Sequence, residues 1–418
     1  MRELPTALNE NRDWHSASIP SSSDLSRDRS DHESKLPHVL IYADPLLAPS
    51  VTFVRSQGEA LHRFIPFYAG ARAFRGPGLI LPEDRTILIN KTGSTFGKIK
   101  EVPFKIFGFD PIFLRRVRNV QPTLIHAHGG PNALTALPLA RHLHVPLIAT
   151  FHGSDVTVAP TRAHDAHYTA KSYWKRAAVL RKEARLCIAV SKFVHDKLLE
   201  QAYSPQRTIL HYIGIDTHFF KSSCTHKREP IVLFVGTLHE VKGCEYLVRA
   251  MVRVQAVVRD VRLVVIGDGP LRSQLEIIAR QQIRDFTFLG TQPPEVVRSW
   301  MDRARVFCVP SVTAASGATE AFGLVFLEAQ AMGLPVASFS SGGIPEAVLH
   351  GKTGLLSPER DFVHLSAHLI ELLGNDGLWC RMSEYGRKRV ETSFDLSKQT
   401  RVLEELYERI LAPEELRG

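Results

Sequence analysis

At 418 residues, with 44% hydrophobic and 23% charged residues, the chain is too long for one ordinary core and reads as two soluble domains of roughly 180–200 residues each. No apolar run approaches the roughly 20 residues needed to span a bilayer, and Met1 to Pro37 has no apolar stretch of the kind a secretory signal carries. Five scattered cysteines, Cys187, Cys224, Cys244, Cys308 and Cys380, form no CxxC pair, which argues against a disulfide framework or structural zinc and fits a reducing, cytoplasmic compartment.

The formal charge of +9 gathers between Arg72 and Arg118, at Arg72, Arg75, Arg85, Lys91, Lys98, Lys100, Lys105, Arg115, Arg116 and Arg118. No aromatic-interleaved recognition motif accompanies it, so nucleic acid is not an expected partner. The same charge suits an anionic substrate, the anionic inner face of a plasma membrane, or a plain solvated surface.

Residues 1–36 are polar and rich in Ser, Asp and Arg, the composition of a disordered extension. The first buried strand is expected at 37–43, followed by a helix over 52–64 and a strand over 65–69. The stretch 70–110, punctuated by Gly and Pro, yields no assignment. Strands follow at 122–128, 146–153 and 186–191, with helices at about 133–142, 168–185 and, capped by Ser191, 192–201. A polar break at 215–229 marks a domain boundary. Beyond it the alternation is cleaner: strands at 231–235, 262–266, 286–289, 306–310 and 335–339, with helices at about 244–258, 271–282, 294–304 and 324–332. Helices at about 364–373, 377–390 and 396–411 close the chain. Strand–helix alternation of this kind gives α/β domains with parallel sheets, here two doubly wound, Rossmann-like domains facing a cleft, residues 37–215 and 216–395.

In open parallel sheets ligands bind beyond the carboxyl ends of strands. The loops there carry Gly236, Thr237 and Lys242; Gly267 and Gly269; Glu320; and Gly342-Gly343. Glu320 lies among small, turn-prone residues. Leu324 to Met332 has no helix breaker until Gly333 and Pro335. Glu320 and Glu328 therefore flank a helix N-terminus whose Gly323 and Leu324 N–H groups can receive a phosphate. The plainer alternative makes Glu320 a helix cap and Glu328 a solvated side chain. In the first half, His126, His128 and His152 fall at strand ends. Their spacing matches no zinc motif, so no metal is expected. A nucleophile elbow and a phosphate-binding P-loop are both missing.

Glu320 and Glu328, within E-A-F-G-L-V-F-L-E-A-Q-A-M-G-L-P-V, resemble the signature of family 4 retaining glycosyltransferases of GT-B architecture, particularly members that build bacterial surface polysaccharides. The resemblance extends through F-V-G-T-L-H-E-V-K-G, V-I-G-D-G-P-L, F-L-G, G-G-I-P-E-A-V and G-K-T-G-L-L, and more loosely through T-F-H-G-S-D and I-G-I-D. It implies a metal-independent transfer of a hexose-type sugar from a nucleoside-diphosphate sugar to a glycan or lipid-linked acceptor. Glu320 would meet the donor sugar, Glu328 the ribose, Gly323, Leu324 and Lys242 the diphosphate, and His152 the sugar from the opposite domain. The glycine-bearing loops at Gly236, Gly267 and Gly269 would frame the nucleotide. The C-terminal helix, within 396–418, would cross back onto the first domain. Two positions depart from the pattern: Thr237 stands where an arginine is common, and the loop from Asp44 to Thr52 lacks a Gly-Gly pair. A sugar-nucleotide epimerase or phosphorylase on the same frame, or a catalytically silent partner in a polysaccharide-assembly complex, are the competing readings.

Overall fold

A computed structural model describes residues 36–46, 52–74, 81–91, 101, 104, 110–158, 168–223 and 228–413. The expected N-terminal extension falls outside that set except for residue 36. Arg75, Lys98, Lys100 and Lys105 of the basic stretch, and most of the loop from Asp44 to Thr52, also lie outside it.

Short runs of aliphatic residues form the first strands: His38–Tyr42 (β1), Ile65–Gly70 (β2), Thr86–Leu88 (β3), Leu124–His128 (β4), Leu147–Phe151 (β5), Leu186–Ala189 (β6) and Thr208–Leu210 (β7). Among the described residues they pair in the order β3-β2-β1-β4-β5-β6-β7, every pair parallel. Parallel neighbours need crossover connections, and helices Phe53–Glu59 (α1), Pro111–Val120 (α2), Gly130–Leu143 (α3), Tyr168–Glu183 (α4) and Lys192–Glu200 (α5) lie on those connections.

The second sheet repeats the scheme with Ile231–Val235 (β8), Arg262–Ile266 (β9), Phe286–Gly290 (β10), Val306–Cys308 (β11), Val336–Phe339 (β12) and Gly354–Ser357 (β13), in the order β10-β9-β8-β11-β12-β13. Cys244–Val257 (α6), Arg272–Gln282 (α7), Pro294–Arg303 (α8) and Leu324–Ala331 (α9) alternate with these strands, and Phe362–Gly374 (α10), Asp376–Ser393 (α11) and Leu396–Leu411 (α12) follow. Each sheet reverses direction once, at β1/β4 and at β8/β11. A crevice forms at such a switch point because the flanking crossovers diverge to opposite faces.

Three strands escape the sequence pattern: β3, β7 and β13. All are edge strands of three or four residues. An edge strand has one neighbour, so it need not carry the long apolar run that marks a strand buried in mid-sheet. Helix α2 also lies beyond the assigned elements, although Asp110 caps it by accepting from the Phe113 N–H at 2.7 Å and Pro111 opens it. Helix α1 stops at Glu59 instead of continuing to Phe64. The N–H groups of His62 and Arg63 turn away to the Glu404 carboxylate on α12, at 2.7 and 2.5 Å.

That contact belongs to the return of the C-terminal helix. Leu403 and Tyr407 of α12 are buried with Val39, Ile41 and Leu124 of the first sheet, and burying each such side chain stabilises by about 1.5–3 kcal/mol. The chain crosses back where Ile215 donates to Phe394 O and accepts from the Leu396 N–H, both at 2.9 Å. Tyr212, Phe322 and Phe394 cluster there with ring centroids 5.1 to 5.6 Å apart. Phe322 lies two residues beyond Glu320, so this crossing sits directly behind the loop expected to carry chemistry.

Candidate active site

The second domain's contribution is built around the start of α9. Gly323 occupies the N-cap position with φ +86°, and a Cβ there would lie 2.4 Å from the Phe326 ring. Only glycine fits both constraints without strain. No side chain caps the helix, so its first N–H groups lack the partner that capping would supply. Glu320 turns elsewhere: it accepts from Lys242 Nζ at 2.5 Å, with the two side chains 13% and 22% exposed. The Gly343 N–H holds the Glu320 carbonyl at 2.9 Å, so the loop after β12 fixes the backbone on which this carboxylate stands.

Glu328 lies one turn into α9. Burial pushes its carboxyl up to about 7, because an ionised carboxylate loses hydration without gaining a compensating partner. Neither plainer alternative describes these two residues: Glu320 does not cap the helix, and Glu328 is not a freely solvated side chain.

The glycine-bearing loops lie side by side at the same sheet edge. Gly236 N–H donates to Ile266 O at 3.0 Å, Gly267 N–H to Gly290 O at 2.8 Å and Leu238 N–H to Asp268 O at 2.9 Å. Gly269 N–H is taken by the Asp268 carboxylate at 2.7 Å. Thr237 is exposed at the tip of the first of these loops, and its neutral side chain leaves Lys242 as the cation bonded to Glu320. The guanidinium of Arg272, at the start of α7, is held by Asp268 and Glu276, both at 2.9 Å.

The first domain presents His152 just after β5. Asp155 shapes this turn: its carboxylate accepts from the N–H groups of Gly153 and Gly130, both at 2.9 Å, and from His152 N–H at 3.4 Å. Burial raises the Asp155 pKa, opposed by these main-chain donors. Gly153 has φ +118°, and a Cβ there would lie 2.5 Å from that of Ala321. The two domains therefore touch at the residue next to Glu320. Behind His152 lie two more imidazoles. His152 Nε2 is 3.2 Å from His128 Nδ1. His128 packs on His126 at 4.3 Å between ring centroids, and His126 Nδ1 meets the Tyr407 hydroxyl of α12 at 2.5 Å. Phe53, at the start of α1, lies 5.1 Å from the His152 ring. Burial lowers all three histidines, His152 to about 4 and His126 to about 3, so the rings are neutral at pH 7. Among the described residues no group of three or more His, Cys, Asp or Glu could hold a metal ion.

The arrangement thus joins an open helix N-terminus, a lysine, two carboxylates of different character and a neutral histidine from the facing domain. Chemically it can bind a diphosphate at the helix end while carboxylates and imidazole hydrogen-bond sugar hydroxyls. Sequence reasoning named His128 only as a strand-end histidine and gave no role to Asp155, Phe53 and Glu346. The last accepts from the N–H groups of Lys192 and Phe193, at 2.6 and 2.8 Å, across the domain boundary. Asp155 lies within the sequence motif T-F-H-G-S-D, where its role could have been sought; the other three depend on contacts distant in sequence. A cavity of about 680 Å³ at the opposite, amino end of the second sheet, lined by Arg228, Arg305 and Trp379, is separate from this site. Arg228 there is engaged by the carbonyls of Met301, Ala304 and Met332.

Residues 229–375 match the family described as glycosyl transferases group 1, and residues 56–219 match Glycosyltransferase Family 4. The amylovoran biosynthesis glycosyltransferase AmsK of Erwinia amylovora is 30% identical over 267 residues, covering 63% of this chain and 64% of that protein. The putative colanic acid biosynthesis glycosyltransferase WcaL of Salmonella typhimurium is 30% identical over 293 residues, covering 68% of this chain and 70% of that one. Among solved structures, Anabaena HepE in complex with UDP and glucose superposes with a TM-score of 0.68 at 17% identity, covering 89% of this chain and 99% of HepE. Sucrose-phosphate synthase from Thermosynechococcus elongatus superposes with a TM-score of 0.70 at 21% identity, covering 90% and 99%. At these identities the two structures establish the shared fold, and the sequence matches carry the kinship. The chain belongs to glycosyltransferase family 4, the retaining, nucleotide-sugar-dependent transferases of GT-B architecture.

Proposed function

We propose that this protein transfers a hexose-type sugar from a nucleoside-diphosphate donor to a glycan or lipid-linked acceptor, in the assembly of a polysaccharide or glycoconjugate. The observation that carries this reading is the Lys242–Glu320 pair at the uncapped start of α9, facing the His152 turn. The bond from the anomeric carbon to the diphosphate breaks, and a bond from an acceptor hydroxyl forms on the same face. The acceptor's proton leaves with the diphosphate. Negative charge grows on the leaving group as the sugar becomes oxocarbenium-like. Lys242 and the Gly323 and Leu324 N–H groups are fixed donors for that charge, the preorganised electrostatics that contribute most to such catalysis. Glu320 and His152 orient the sugar, and Glu328 accepts from the ribose hydroxyls. The loops carrying Gly236, Thr237, Gly267 and Gly269 line the nucleotide's side of the cleft.

The kinship to AmsK and WcaL supports a polysaccharide acceptor, and HepE, solved with UDP-glucose, makes that nucleotide sugar the first donor to try. The test begins with a panel of nucleotide sugars screened for protection against heat unfolding, since tight ligands raise stability by mass action. Glu320→Gln and His152→Ala are then expected to lower turnover by about 10²–10³-fold and about tenfold or more, respectively, with folding intact. Near-normal turnover in both variants would sink the mechanism.

A further inference from the structure

We propose that His128 is a positioning residue of this site: its hydrogen bond fixes which ring nitrogen of His152 carries the proton, and so whether His152 gives or takes a hydrogen bond at the sugar. The inference rests on the reading that His152 faces the donor sugar. His128 ends β4 and His152 follows β5, and these strands are neighbours in register, with His128 opposite Thr150. The two rings lie within 9° of parallel with centroids 5.4 Å apart, while Nδ1 and Nε2 are 3.2 Å apart. That combination is an in-plane, edge-to-edge hydrogen bond and not a face-to-face stack, in which the ring planes would approach much more closely.

Only one proton fits between two neutral imidazoles. If His128 Nδ1–H donates, His152 accepts at Nε2 and must carry its own proton on Nδ1. If His152 Nε2–H donates, its Nδ1 is left as a lone pair. Whichever holds, the tautomers of the two rings are tied together, and only a partner at His128 keeps His152 from exchanging between its own two.

The His128 ring is itself held in place. It lies on His126, whose two nitrogens are both bonded, to Tyr407 Oη at 2.5 Å and to Thr150 Oγ1 at 2.6 Å. A buried imidazole loses hydration that an aliphatic side chain at the end of β4 would not need. His152 is the side-chain hydrogen-bond partner that offsets this cost among the described residues. A group that orients a reacting side chain through its second nitrogen acts as an outer-shell ligand does at a metal.

The test uses His128→Phe, which keeps a flat ring against His126, and His128→Asn, whose side-chain amide can take the place of Nδ1. In the wild type, ¹⁵N spectra of the imidazoles should show His152 as a single tautomer, with a through-hydrogen-bond coupling to His128. In His128→Phe the two ring nitrogens of His152 should average. Turnover should fall about tenfold or more while the donor KM changes little, and His128→Asn should recover most of the loss. An averaged His152 tautomer in the wild type, or a His128→Phe enzyme with unchanged tautomer and turnover, overturns the proposal. The wild-type spectra need neither a variant nor turnover, so they read the hydrogen bond even where a variant fails to fold. Full turnover in His152→Ala beside an intact wild-type coupling would locate the failure in the sugar-facing role of His152, not in the bond.

Discussion

Glu320 and Glu328 are the same residue type in opposite settings, and the difference assigns them different work. Glu320 is held by an ammonium group, while burial pushes the Glu328 carboxyl up to about 7. If ribose hydroxyls donate to Glu328, donor binding favours its ionised form. Donor affinity should then be highest above pH 7 and weaken as pH falls, by up to about tenfold per unit until the bound-state pKa is reached. Calorimetry with a nucleotide sugar at pH 6, 7 and 8 measures this cleanly, since its doubly esterified diphosphate does not titrate there. Glu328→Gln should bind more weakly and lose the dependence; a flat wild-type profile would remove Glu328 from the ribose. The three buried histidines make the complementary case, because rings that stay neutral across this range can hold hydrogen bonds of fixed direction.

At the scale of elements, the two domains are joined by contacts that continue secondary structure across the boundary. Helix α5 starts in the first domain, and Ser191 caps it by accepting from Val194 N–H at 3.1 Å. The N–H groups of its first two residues, Lys192 and Phe193, are capped by Glu346 of the second domain, which also accepts from the Tyr212 hydroxyl at 3.0 Å. Arg389 of α11 grips the carbonyls of Glu346 and Ala347 from behind. Removing the carboxylate strands two main-chain donors at a helix end, a loss of about 1–2 kcal/mol. Glu346→Ala should therefore unfold at lower denaturant and show a larger radius of gyration in solution scattering, while Glu346→Gln, which keeps one acceptor oxygen, should fall between. An unchanged scattering profile in Glu346→Ala would show that the closed arrangement is held elsewhere, with the aromatic cluster of Tyr212, Phe322 and Phe394 the next to examine.

Across the whole molecule, the basic stretch resolves into residues with different fates. Arg85 pairs with Glu59 at 2.7 Å and Arg116 donates to Leu88 O at 3.0 Å, whereas Arg115 is exposed on α2 beside Ile112, which is 70% exposed. Among the described residues no helix is long and apolar enough to cross a membrane. A protein that meets a lipid-linked acceptor through this face should bind anionic vesicles and release them as salt rises from about 0.05 to 0.3 M, because exposed charge is screened over about a Debye length. Binding to neutral vesicles that ignores salt would point to a different attachment.

The alternation of buried strands with helices, the Gly333–Pro335 stop after α9 and the paired glutamates were all legible in the sequence. Strand and helix periodicity is local, and a phosphate-receiving helix end needs a particular residue at each of a few adjacent positions. The edge strands β3, β7 and β13 were not legible, because a strand with one neighbour carries little hydrophobic signal. Nor was the early end of α1, which is decided by a carboxylate on α12. The Lys242–Glu320 pair, the desolvation of Glu328, the imidazole chain from Tyr407 to His152 and the Glu346 cap all join residues far apart in the chain. Such contacts acquire their energies only when packing has removed water from between them, so the tertiary structure alone decided them, while the sequence by itself determined the family, the two parallel sheets and the place where they meet.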